Sequence, residues 1–239
     1  MKLKSLLLLI TLVFVGKMLL AQTPVDGIIA AYFDAIGGRD KIAQINSIYI
    51  ESDMEVMGNS SPSKVTILNG KGYKNEMNFG GSDIVQTVTG TGGWMINPFM
   101  GSPEAAPIPD DQYVTMKDQI YIGGPLFNYT TNGYLVKFLG MDAVDGKPAY
   151  KIEAVSPDSV KNTFFIDSAT HYIDELVIDA GGQTTTAKYS NFQKTDFGNV
   201  MPYSQQLTVP QGFQINVTVT HVEINKPVDP SIFDMPKKP

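Results

Sequence analysis

The sequence predicts a mainly β fold with helices (α+β): one large curved antiparallel sheet whose concave face the helices cover. Three observations predict it. Apolar and polar residues alternate through most of the chain, glycine-rich turns recur at short intervals, and helical spacing is confined to the start and one central region. A sheet this long curls rather than staying flat.

The chain has 239 residues, and residues 1–21 read as an export signal. Lys2 and Lys4 precede the apolar run Leu6 to Val15, and Ala21 supplies a small residue before Gln22, where cleavage is expected. Gly16 and Lys17 interrupt the run well short of the roughly 20 residues a membrane span needs. Residues 22–239 then form a single domain.

From Pro24 to Ile36, a helical stripe carries Ile28, Ile29, Tyr32, Phe33 and Ile36, with Thr23 as a candidate cap. Gly37-Gly38 ends it, and a short helix follows from Arg39 to Ile45. The period then changes to two. Ile48, Ile50, Met54 and Val56 share one side of a half-buried strand, opposite Glu51, Asp53 and Glu55. Further strands are expected at 64–68, 72–79, 84–89, 93–96, 135–141, 149–155, 162–166, 172–179, 184–192, 201–209 and 213–224. Asn69-Gly70, Asp145-Gly146, Gly181-Gly182 and Gln211-Gly212 mark turns between them. Between Pro107 and Gly123, Tyr113, Met116, Ile120 and Tyr121 recur at helical spacing, with Asp110 as a candidate cap.

Composition excludes several chemistries. Without cysteine there is no disulfide, thiolate metal site, thiol nucleophile or lipid-modified N-terminal cysteine. The net charge of -6 falls to about -9 once Lys2, Lys4 and Lys17 leave with the signal, and Arg39 is the single arginine. That balance argues against nucleic acid, whose phosphates need a basic face. His171 and His221 lack the spacing of a zinc motif, so no metal is expected; His221 falls in phase with Ile215, Val217 and Val219, as an inward or edge residue. No nucleophile elbow or phosphate loop occurs, so neither an enzyme nor a cofactor is expected. Apolar side chains on a sheet remain. Eleven methionines and 24 aromatics suit a core, and a subset suits a cavity of adaptable shape.

The stretch 32–58, "YFDAIGGRDKIAQINSIYIESDMEVMG", resembles the start of exported LolA-like proteins, the outer-membrane lipoprotein-sorting family. The resemblance continues through "GGWMINPFMG" (92–101), the helix near Met116, "NTFFIDSATHYIDELVID" (162–179) and "VTHVEINKPVDPSIFDMP" (219–236). It implies an unclosed β-barrel around an apolar cavity lidded by helices, holding lipid or lipoprotein acyl chains in the periplasm. Envelope lipoprotein-transport components are the implied partners, and a monomer is expected. Cavity candidates are Ile48, Ile50, Met54, Val56, Trp94, Ile96, Met116, Ile120, Phe164 and Ile166, with Trp94 expected on the concave side as core or cavity wall. The family's carrier ties its lid with a strand arginine; Arg39 lies beside the first helix, so that latch is not carried over. A structural or interaction module filled by its own side chains is the alternative.

Asp158-Ser159-Val160 and Asp167-Ser168-Ala169 resemble the O-glycan acceptor of exported Bacteroidota proteins, making Ser159 and Ser168 candidate modification sites. The same pattern also suits plain turns, where Asp and Ser bond nearby backbone.

Overall fold

The computed structural model describes residues 24–237. The signal at 1–21 and the Thr23 cap lie outside the described residues. Helices α1 (Pro24–Ala35) and α2 (Arg39–Ala43) lead into strands β1 (Ser47–Val56), β2 (Asn59–Leu68), β3 (Gly72–Phe79), β4 (Ser82–Thr89), β5 (Gly92–Asn97) and β6 (Ser102–Pro107). Helix α3 (Asp110–Met116) continues into a 3-10 turn, Lys117–Ile120. Then come β7 (Leu135–Val144), β8 (Lys147–Val155), β9 (Lys161–Asp167), β10 (Ile173–Ala180), β11 (Gln183–Lys194), β12 (Val200–Thr208) and β13 (Gln214–Ile224).

All thirteen strands join one antiparallel sheet in the order β6-β5-β4-β3-β2-β1-β13-β12-β11-β10-β9-β8-β7. Within each of two meanders, β1 to β6 and β7 to β13, every strand lies beside its neighbours in sequence, and β1 paired with β13 joins the two. With β6 at one edge and β7 at the other, the sheet is not closed into a barrel. The segment 108–134 runs between those two edges.

An edge strand and a helix cap are among the departures from the sequence reading. β6, "SPEAAP", was not expected, because Pro103 and Pro107 argue against a strand; an edge tolerates prolines that an interior strand does not. Asp110 does not cap α3: Pro109 holds the cap position, and Asp110 and Asp111 sit in the first turn, where acids complement the helix dipole.

Register assigns every strand residue to a face. Ile48, Ile50, Ser52, Met54 and Val56 share a face with Ile67, Tyr73, Val88 and Met95 on one side of β1, and with Ile224, Val217, Leu176, Phe164 and Ile152 on the other. We term this the helix-side face, because both large buried clusters form on it. Val25, Ile29 and Phe33 of α1 pack in one cluster with Ile152, Phe164 and Ile166. Val88, Met95, Ile108 and Ile120 form the second, with Met116 and Tyr113 against it. Burying side chains of this size contributes about 1.5–3 kcal/mol each, so these clusters fix α1 and α3 to the sheet.

The opposite face is the tail side. Phe233, from the C-terminal 3-10 turn Pro230–Phe233, lies over Gly72, where a Cβ would come within 2.5 Å of its ring. Only glycine leaves room for it.

Candidate functional site

The helix-side cluster begins with α1, whose apolar stripe at i, i+4 and i+8 buries Val25, Ile29 and Phe33. Gly37 and Gly38, at φ 119 and 96, reverse the chain after the helix, and Gly38 N–H donates to Phe33 O at 2.8 Å. The reversal carries Arg39 over the Phe33 ring, 4.4 Å from its centroid, with the Phe127 ring at 5.2 Å. Arg39 Nη1 also donates to the Phe127 carbonyl. The Tyr129 hydroxyl donates to the Asp26 carboxylate. On its other flank, Gly70 N–H donates to Ile120 O at 2.8 Å and Ile122 N–H to Asn69 Oδ1 at 3.0 Å. Residues 120–129 thus form a strap tied to α1 at one end and to the β2–β3 turn at the other.

Beneath the strap lies a cavity of about 310 Å³. Tyr32, Ile36, Ile42 and Ile45 line it from the first two helices and the residues just after them, Ile122 to Leu126 from the strap, and Ile48, Phe164, Ile173, Leu176, Tyr189, Phe192 and Met201 from the sheet. No charged side chain lines it. Burial pushes the Tyr189 phenol up to about 12, and burial beside Tyr189 raises Tyr32 as well. Both phenols stay neutral at physiological pH, so the lining is mainly apolar, with two hydroxyls and the Asn199 amide as its polar side chains. Such a lining can hold an aliphatic chain, and it offers neither a nucleophile nor a general base. Beyond the cavity the helix-side face continues as half-buried apolar surface, with Ile50, Met54, Val56, Val65, Met77 and Val217 outside both clusters. A hydrogen bond of 2.8 Å between Ser52 and Ser63 satisfies the two buried hydroxyls in its midst.

The structure disperses the ten predicted cavity residues. Ile48 and Phe164 line the cavity. Ile50, Met54 and Val56 lie on the same face, further along β1. Ile166 is fully buried in the α1 cluster. Ile120, 1 % exposed, and Met116 belong to the second cluster.

Trp94 and Ile96 require a correction: they lie on the tail side. Trp94 pairs with Thr87 and Ile96 with Val85, and both alternate with Met95, whose partner Gln86 is on the helix-side face. Trp94 Nε1–H donates to Phe233 O at 2.8 Å, and the indole is 6 % exposed. It is core beneath the C-terminal tail, not cavity wall. His221 also moves. The bulge between Glu51 and Ser52 shifts its phase, so His221 pairs with Glu51 on the tail side and bonds Glu223 Oε1 at 2.9 Å.

Most cavity residues were not predicted as such. Tyr32 and Ile36 were visible as part of the α1 stripe, but nothing local marks Ile122, Leu126, Leu176 or Met201 as their neighbours. Among the described residues, no group of three His, Asp or Glu side chains could hold a metal ion, and no helix is long and apolar enough to cross a membrane.

No family model matches the chain, and no curated protein matches it in sequence. Solved structures do match it in shape. A LolA superfamily protein from Nitrosomonas europaea superposes with a TM-score of 0.59 at 13% identity, over 86% of this chain and 96% of that one. An outer membrane lipoprotein-sorting protein domain, so described, from Vibrio parahaemolyticus gives 0.58 at 12% identity, over 87% and 95%. A DUF1329 family protein from Desulfovibrio piger gives 0.57 at 13% identity, over 86% and 97%. The open thirteen-stranded antiparallel sheet thus has the fold seen in LolA-superfamily and lipoprotein-sorting proteins.

Proposed function

We propose that this protein is a non-catalytic carrier that binds lipid or lipoprotein acyl chains in the bacterial periplasm. The observation that carries the reading is the uncharged cavity between α1, α2, the strap and the sheet, continuous with half-buried apolar surface along β1. An acyl chain gains about 0.8 kcal/mol for each methylene it buries, so such a surface can extract one without a reacting group. The lipoprotein-sorting description of a structural neighbour agrees with it. In this reading the sheet curls as an unclosed barrel, the helices and strap are its lid, and envelope lipoprotein-transport components deliver and receive the cargo.

A second reading has an observation of its own. The strap is tied at both ends, and its Leu126 packs with Phe33 and Ile29 in one buried cluster beside the cavity. That favours a self-filled interaction module. Native mass spectrometry of protein purified from a bacterial periplasm separates the two. Co-purifying acyl species, or uptake of a fluorescent fatty-acid probe, are expected of a carrier. A clean apo mass together with no probe uptake rejects the carrier and leaves the module.

A further inference from the structure

Among the described residues the sheet has two unpaired edges, and they are built differently. β6 is six residues long and carries two prolines, which donate no backbone hydrogen bond. Short, proline-bearing edges resist pairing. β7 is ten residues long, contains no proline, and leaves Leu135, Phe138, Leu139 and Met141 between 36% and 68% exposed. A long apolar edge is a template for an added strand.

The residues of β7 complement themselves. Its ladder with β8 has a bulge between Phe138 and Gly140, with Leu139 as the extra residue. Phe138 pairs with Ile152 and Met141 with Tyr150, so both lie on the helix-side face. Lys137 pairs with Glu153 and Asp142 with Ala149, so both lie on the tail side. Directly opposed residues of an antiparallel pair share a face. An unbulged strand would put residues three or five apart on opposite faces, and the bulge brings them to the same one.

A two-fold axis between Leu139 and Gly140 therefore sets Lys137 against Asp142 of a second copy. It sets Phe138 against Met141, Leu135 against Val144, and Leu139 against a glycine with no side chain to obstruct it. Every contact occurs twice, as in any isologous interface. Lys137 has no ion pair among the described residues, and Asp142, bonded to Lys151 at 3.0 Å, has lone pairs left to accept another donor.

We propose that β7 pairs antiparallel with β7 of a second copy in this register, joining two sheets into one and making the protein a dimer. A foreign peptide would use the same backbone groups but would not account for the self-complementarity. This replaces the monomer expected from sequence and stands apart from the cargo reading, because the edge lies outside the cavity lining.

The test is sedimentation equilibrium of the full chain from micromolar to millimolar concentration. Wild type is expected to dimerise. Lys137→Asp, which sets like charges opposite at two symmetric places, is expected to raise the dissociation constant on the order of tenfold. Lys137→Asp combined with Asp142→Lys is expected to restore it. Leu139→Lys, at an exposed bulge, is expected to give a monomer with an unchanged melting temperature. A wild type that stays monomeric throughout overturns the proposal. So does a dimer indifferent to Lys137→Asp and Leu139→Lys, or a double variant that fails to recover.

Discussion

Lengthening a saturated acyl probe one methylene at a time is a perturbation whose effect the cavity predicts. A methylene takes about the volume of a water molecule, roughly 30 Å³, so the 310 Å³ beneath the strap admits a chain of about ten. At about 0.8 kcal/mol each, these supply about 8 kcal/mol. Immobilising the ligand takes back at least about 4 kcal/mol. The remainder corresponds to a dissociation constant near the millimolar range. Displacement of a fluorescent fatty acid by carboxylates of increasing length should show affinity rising about fourfold per methylene, then flattening near ten. Arg39→Met releases the Phe127 carbonyl from its donor and should extend the rise to longer chains, which then reach Ile50 and Met54. Affinity without length dependence would refute the apolar seat. A wild-type slope that continues well past ten would refute the strap as its boundary.

Met116→Asp should cost about 2–4 kcal/mol of stability, as burying a charge in a packed cluster does, and leave probe affinity of the folded protein unchanged; a retained melting temperature with weakened uptake would return Met116 to the cavity wall. Phe233→Ala should cost about 3–5 kcal/mol and shift Trp94 emission to the red, since the tail shields the indole; an unshifted spectrum would show that it does not. The Asp167 carboxylate is held below its ordinary value, first by the Thr170 N–H, which it accepts at 2.7 Å. Its stabilisation is therefore full at neutral pH and fades as pH falls below about 4 through the folded-state value. The gap in urea midpoint between wild type and Asp167→Ala should shrink accordingly, and a gap constant with pH would sink the ionic account. Intact mass of protein from its native source tests O-glycosylation at Ser159, exposed in the β8–β9 turn, and Ser168, half-buried with its N–H bonded to Pro148 O; a mass equal to the bare mature chain would dispose of both.

Alternation and turn dipeptides carry most of this fold in the sequence, because within each meander every strand pairs with the one before it and needs no distant information. The exceptions share a cause. In β5 the apolar run Trp94-Met95-Ile96 leaves period two undecided, so the side each residue takes depends on Phe233, remote in sequence. The bulge that turns His221 outward has no local signature either. β2 was read from Lys64 alone, because "NSSPSK" is polar, yet Ser61 and Ser63 are buried among longer neighbours. The cavity was least legible: α1, α2, the strap and five strands each contribute a few residues, and no single element looks like a site.

The pairing of β1 with β13 has a consequence for how the chain comes to be folded. Every other ladder closes within a hairpin or a short loop, so either meander can zip as it is synthesised. Ile48 must wait for Ile224, 176 residues further along the chain. Until then β1 offers an unpaired strand to the surrounding medium. Glu51, Asp53 and Glu55 put like charges along one side of it, which would lie side by side if two nascent copies joined there. The acids that alternate along β1 thus protect it during the interval in which its permanent neighbour has not yet been made.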